Sequence, residues 1–189
     1  MIKTARGSVP QSAVEVRDAA ARIALAHPHG LPQIWLLKLL WLAELKYYER
    51  TDRRLTRAGW WRWNHGPYSK DVINTVKRDT KTFRVERQQE ETWQTGLVIH
   101  TNPRAVKELS DREGLRAIDE VLWTYREYTN EELIQEVYAD PFFEATPFSD
   151  DFDFAKLKSF RRPVPESEER RLLDLPTKPV GEIAELFAP

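Results

Sequence analysis

The sequence predicts a mainly helical α+β fold: a single helical domain bearing a small β-hairpin and ending in a proline-rich C-terminal tail. Three observations carry this reading. Several stretches repeat apolar residues at helical spacing; two short β-favouring runs flank a polar connection; and Pro163, Pro165, Pro176 and Pro179 fall among charged residues beyond Arg161. A chain of 189 residues suffices for one cored domain with appendages. The expected organisation is an N-terminal extension over 1–11, a helical domain over 12–145, and an acidic, aromatic segment with the tail over 146–189.

Ser12-Ala13-Val14-Glu15 has the form of a capping box, predicting a first helix from about there to Ala26 with Val16, Ala20 and Ile23 on one face. His27-Pro28-His29-Gly30 breaks it. Leu31-Pro32 opens a second helix to about Glu49, apolar nearly all round and therefore expected at the centre of the core. The segment Leu55 to Asn64 holds Trp60, Trp61 and Trp63 without a clear period, so helix and strand both remain open there. His65-Gly66-Pro67-Tyr68-Ser69 reads as a turn, from which Ser69 or Pro67 starts a third helix with Val72, Ile73 and Val76 inward.

Phe83-Arg84-Val85-Glu86 and Leu97-Val98-Ile99-His100 predict a two-stranded hairpin. Ser110-Asp111-Arg112-Glu113 is a second capping box, before a helix burying Ile118, Leu122 and Tyr125. Thr129-Asn130-Glu131-Glu132 is a third, before Leu133, Ile134 and Val137, and Pro141 is expected to stop that helix. The tail is expected to be extended, with a short helix at Ile183 to Phe187.

Composition narrows the function. Cysteine is absent, which removes disulfides, thiol nucleophiles and cysteine-rich zinc sites and makes a reducing cytoplasm the expected location. The first residues lack the apolar core of a secretory signal, and the most apolar run, Leu31 to Leu45, is too short to span a bilayer. No membrane partner is expected. Histidines 27, 29, 65 and 100 have no ligand spacing, and no phosphate-binding glycine motif or nucleophile elbow occurs. Asp150-Asp151-Phe152-Asp153 reads as a solvated acidic loop. The chain is therefore expected to be no enzyme, with no catalytic residue, cofactor or metal.

Recognition is what remains. The formal net charge is only -1, yet twelve Lys/Arg face five Asp/Glu between Lys46 and Arg87. From Asp140 to Phe154 come five acids, no bases, and Phe142, Phe143, Phe148, Phe152 and Phe154. Arg57, Trp60, Trp61, Arg62 and Tyr68 are candidate partner-binding residues, because Trp, Tyr and Arg dominate binding hot spots. The competing assignment places two or three of these aromatics in the core. Gly66 and Pro67 are expected to be structural, setting the angle at which the third helix leaves. A basic helix beside a hairpin also fits a winged-helix DNA reader using Lys70, Lys77, Arg78, Lys81 and Arg84 against phosphate.

The run Leu36-Leu37-Lys38-Leu39-Leu40-Trp41-Leu42-Ala43-Glu44, then Arg54-Leu55-Thr56, then Trp63-Asn64-His65-Gly66-Pro67-Tyr68-Ser69 resembles the SocA-like antitoxin family with its Panacea domain. That family has a "KLLYLA" core helix, a "PLT" turn, and a tryptophan or similar residue shortly before "GP". The resemblance covers roughly residues 12 to 145. It implies a bacterial or phage toxin-antitoxin system in which this chain neutralises a protein toxin, encoded by an adjacent gene, through direct protein–protein interaction. Some relatives deliver their toxin to a protease as adaptors, and a DNA-binding regulator acting on its own operator is a further alternative. The family often carries a histidine near a late helix end where this chain has Tyr138-Ala139-Asp140, so a role tied to that histidine does not transfer. The resemblance leaves the toxin's identity and the oligomeric state open.

Overall fold

The computed structural model describes residues 13–89 and 95–161, and within them the chain is mainly helical with two small antiparallel sheets. The extension over 1–11, Ser12 of the first capping box, and the proline-rich tail lie outside the described residues. Helix α1 (Val16–Leu25) starts after Glu15 without any side-chain cap, so the expected capping box does not form the helix start. It buries Ala20 and Ile23 as the spacing predicts.

Leu31–Pro32 forms a two-residue strand, β1, and α2 (Gln33–Thr51) follows directly. Helix α2 is buried from Leu36 through Leu45, including Lys38 and Glu44, which makes it the central helix. The undecided segment resolves into a hairpin: β2 (Trp61–Trp63) pairs with β3 (Gly66–Tyr68), register Trp61 to Tyr68 and Trp63 to Gly66. The expected turn is thus half strand, and only Asn64 and His65 turn. Gly66 has φ +104, a conformation that favours glycine.

Ser69 caps α3 (Lys70–Arg78), accepting from the Val72 amide, and Val72, Ile73 and Val76 face inward. Strands β4 (Phe83–Gln89) and β5 (Thr95–Thr101) form the expected hairpin, with Val85 opposite Ile99. The expected pair is in fact a three-stranded sheet, order β1-β5-β4, because Leu31 and Pro32 add to β5 opposite Ile99 and Val98. A 3-10 turn at Pro103–Ala105 leads towards α4 (Arg112–Tyr125).

Asp111, one residue after the predicted cap, accepts from the Gly114 amide and starts α4. The third box is present as read: Thr129 and Glu132 cap α5 (Asn130–Tyr138) reciprocally. Pro141 does more than end that helix. With Asp140 accepting from the Phe142 and Phe143 amides, it opens α6 (Pro141–Ala145). Ion pairs bind α4 to the earlier helices. Buried Arg22 makes two 2.7 Å bonds to Asp119, and Glu120 bridges Lys46 and Arg50. Burial alone would raise the Glu120 carboxyl, but these two cations hold it below the ordinary carboxylate value.

The segment 146–161 does not behave as an appendage. Phe152 and Phe154 close on Trp41, with ring centroids at 4.3 and 5.4 Å, and Leu157 is fully buried. Its backbone extends the β2 edge: Arg62 donates to the Asp150 carbonyl at 3.0 Å, Ser149 to the Arg62 carbonyl, and Phe152 to the Trp60 carbonyl. Arg161 then pairs with Asp140 and Glu49. Residues 146–161 thus pack on the helical domain, with Phe152, Phe154 and Leu157 of that stretch among its core residues.

Candidate protein-binding groove

Two buried charges on α2 hold the scaffold of the β2–β3 hairpin, and both belong to the Leu36–Glu44 run. Glu44 is fully buried and accepts hydrogen bonds from the Leu55 and Thr56 amides and from Arg54 Nε, each at 3.1 Å, and from the Thr56 hydroxyl. The Arg54-Leu55-Thr56 turn is therefore wrapped around one carboxylate. Arg54 also donates to the Ala58 carbonyl and lies 3.9 Å over the Phe154 ring. The Glu44 bonds to the Leu55 and Thr56 amides and the Thr56 hydroxyl, and the Arg54 bond to the Ala58 carbonyl, each satisfy a group that burial would otherwise leave without a partner.

Lys38, one turn and a half earlier, donates from Nζ to the His65 carbonyl at 2.6 Å and so fixes the hairpin's tip. No carboxylate pairs with it among the described residues, and burial lowers its ammonium pKa to about 8. A side chain at Gly66 would meet that ammonium, since a Cβ there would stand 3.3 Å from Lys38 Nζ. Gly66 and Pro67 are both buried, and the leading residue combines a positive φ with this close approach.

On the outward side of the same hairpin lies a cavity of about 400 Å³, lined by Arg62, Trp63 and Asn64 of the hairpin, Tyr138 of α5, Phe143 and Glu144 of α6, and Phe148. Trp63 and Phe148 stack at 5.5 Å and 21° while remaining 48 and 56% exposed. Tyr138 stacks on Phe143 at 5.1 Å and 5°, and its hydroxyl donates to the Asn64 carbonyl at 3.0 Å. Arg62 donates to the Glu144 and Thr146 carbonyls at 2.8 and 2.6 Å and lies 4.8 Å over Phe143. The floor is thus held rigid by hydrogen bonds while the Trp63–Phe148 pair faces water. Of the four large hydrophobic residues that are exposed among the described residues, three line this groove; Trp123 on α4 is the other.

The five sequence candidates separate in the structure. Trp60 is 2% exposed and stands edge-on to Trp41 at 5.4 Å, so it is a core residue and gives a partner nothing to touch. Tyr68 is partly buried against the core. Arg57 is exposed, and Trp61 is partly exposed with Lys70 Nζ 5.8 Å above its ring; neither lines the groove. Arg62 does. Trp63, which the sequence places in the same tryptophan cluster, joins Arg62 in the groove, whereas Tyr138, Phe143 and Phe148 are not among the candidates, although each residue type is visible in the aromatic stretches around them. Tyr138 occupies the region where the resembled family often has histidine, and here it braces the hairpin from α5.

Among the described residues no group of His, Asp and Glu could hold a metal ion, and no helix is long and apolar enough to cross a membrane. Neither a curated relative nor a solved structure matches the chain. A family model does: antitoxin SocA-like, Panacea domain, over residues 36–141. The match opens at the helix that carries Lys38 and Glu44 and closes at the start of α6, so it takes in both pinned turns and most of the groove. Spanning more than half of the 189 residues, it places this chain in the SocA-like antitoxin family, as a protein with a Panacea domain.

Proposed function

We propose that this chain is the antitoxin of a toxin-antitoxin pair and that it neutralises a protein toxin by binding it in the groove between the β2–β3 hairpin and α5–α6. The observation that carries the reading is the Trp63–Phe148 pair, two large aromatic side chains left half in water on a floor fixed by Arg62 and Tyr138. Exposed aromatics on a rigid support are what a binding hot spot requires: large apolar area at small entropic cost, beside hydrogen-bonding groups that exclude mispositioned partners. Family membership supplies the class of partner. The chain acts by occupying toxin surface and performs no catalysis.

Co-expression with the toxin encoded beside it tests this. Wild type restores growth and co-purifies with the toxin. The Trp63→Ala/Phe148→Ala protein folds but loses both, whereas Trp123→Ala, equally exposed and outside the groove, keeps both. Rescue without a stable complex would point instead to delivery of the toxin to a protease.

A further inference from the structure

The first hundred residues of the chain contain a second construction that the groove does not use. Their elements run α1, β1, α2, α3, β4, β5, and the sheet order β1-β5-β4 places the first strand beside the last. Helix, strand, helix, helix and hairpin, with that pairing, is the topology of winged-helix nucleic-acid readers, in which the third helix enters the major groove and the hairpin flanks it. The loop between α2 and α3 is longer than a tight helix-turn-helix connection because the β2–β3 hairpin is inserted there. Helix α3 is nevertheless seated by its own apolar face, Val72, Ile73 and Val76, and packs against α1 and β4.

The opposite face of α3 is exposed and cationic. Lys70, Asn74, Lys77 and Arg78 are all exposed, and Lys81 and Arg84 follow within the next six residues. Lys77, Arg78 and Lys81 take part in no ion pair among the described residues. The nearby acids are already engaged: Asp71 accepts from the Gly59 amide at 2.8 Å, Asp79 pairs with Arg17 at 2.9 Å, and Glu86 pairs with Arg84 at 3.0 Å. A nearly neutral chain thus concentrates a surplus of positive charge, Lys70, Lys77 and Arg78 against the single carboxylate of Asp71, on the one helix whose topology would present it to a groove, and Lys81 follows it.

We propose that the exposed face of α3, continued through Lys81, is a binding surface for double-stranded DNA, separate from the aromatic groove. Lys70, Lys77, Arg78 and Lys81 would contact phosphates, and Asn74, on the same face, has the amide that can pair with the N6 and N7 edge of adenine. Single-stranded RNA is the less suited polyanion: the exposed aromatic pair on which bases could stack, Trp63 and Phe148, lies in the groove and not on α3.

The test is fluorescence anisotropy of the full-length chain with a short mixed-sequence DNA duplex across a salt series. About four phosphate contacts predict an affinity loss on the order of a hundredfold between roughly 50 and 200 mM salt. Lys77→Ala/Arg78→Ala, checked for folding by circular dichroism, should lower the salt slope by nearly two and weaken binding about tenfold or more at low salt. Lys70→Ala/Lys81→Ala repeats the test at other positions on the same surface, and Trp63→Ala should bind duplex as wild type does. Three results would each overturn the proposal: no duplex binding at low salt, duplex binding indifferent to both double substitutions, or tighter binding of a single-stranded RNA of equal length.

Discussion

The two hairpins of this molecule are built from opposite materials. The β2–β3 hairpin is short, three residues to a strand, and is held at its tip by Lys38, from the side by Tyr138, and along its edge by the backbone of residues 149–152, while Glu44 fixes the Arg54–Thr56 turn that leads into it. The β4–β5 hairpin is seven residues to a strand, and it carries charged side chains such as Arg84 and Glu86, which pair with one another. A three-residue hairpin cannot stabilise itself in water. Buried charge-assisted bonds hold it instead, and they leave its outer aromatics free for a partner. The longer hairpin depends on its ladder and on the core beneath Phe83 and Ile99, so its surface charges are free to vary.

This contrast predicts where substitutions act. The largest effect belongs to Glu44→Ala, which leaves two buried amides and Arg54 without their acceptor. It should cost about 3 kcal/mol or more in urea denaturation. A loss below about 1 kcal/mol would mean that the Arg54–Thr56 turn is held by other contacts. Next comes binding: Trp63→Ala and Phe148→Ala should each weaken toxin affinity by about 2 kcal/mol or more by calorimetry, while their thermal midpoints stay close to wild type.

Lys38 sharpens the comparison through pH. Its folded-state pKa of about 8 lies below the ordinary lysine value of 10.5. Between those two the folded chain holds fewer protons than the unfolded one, so raising pH through this window favours folding. Relative to Lys38→Met, wild type should gain about 2 kcal/mol between roughly pH 7 and pH 10. A parallel pH dependence in the two proteins would show that the ammonium is solvated. Gly66→Ala should be milder, about 1 kcal/mol or somewhat more, from the positive φ and the 3.3 Å approach to Lys38. Least of all, Arg84→Ala on the longer hairpin should change stability by less than about 0.5 kcal/mol, because its pairing with Glu86 is exposed.

The same contrast explains what could be read from the sequence. The α2 core, the inward faces of α3 and α4, the Thr129 cap and the β4–β5 hairpin follow from local periodicity and side-chain chemistry, and each stands where those rules put it. The groove does not follow from them. Whether Trp60 or Trp63 faces water is decided by residues 149–152 docking on β2 and by Trp41 waiting beneath, both distant in the chain. Phe152 and Phe154 were hidden in the same way: the acids around them, Asp150, Asp151 and Asp153, suggested a solvated loop, yet the phenylalanines turn inward and the carboxylates outward. The cap at Asp111 in place of Ser110 is a smaller matter, since either side chain can accept from a first-turn amide.

The proposed toxin contact is the groove and not the remainder of the aromatic surface. Titration calorimetry of purified toxin into wild type, Trp63→Ala/Phe148→Ala and Trp123→Ala addresses it directly. The groove variant is expected to lose at least a hundredfold in affinity with its fold intact, while Trp123→Ala matches wild type. Unchanged affinity in the folded groove variant would contradict it.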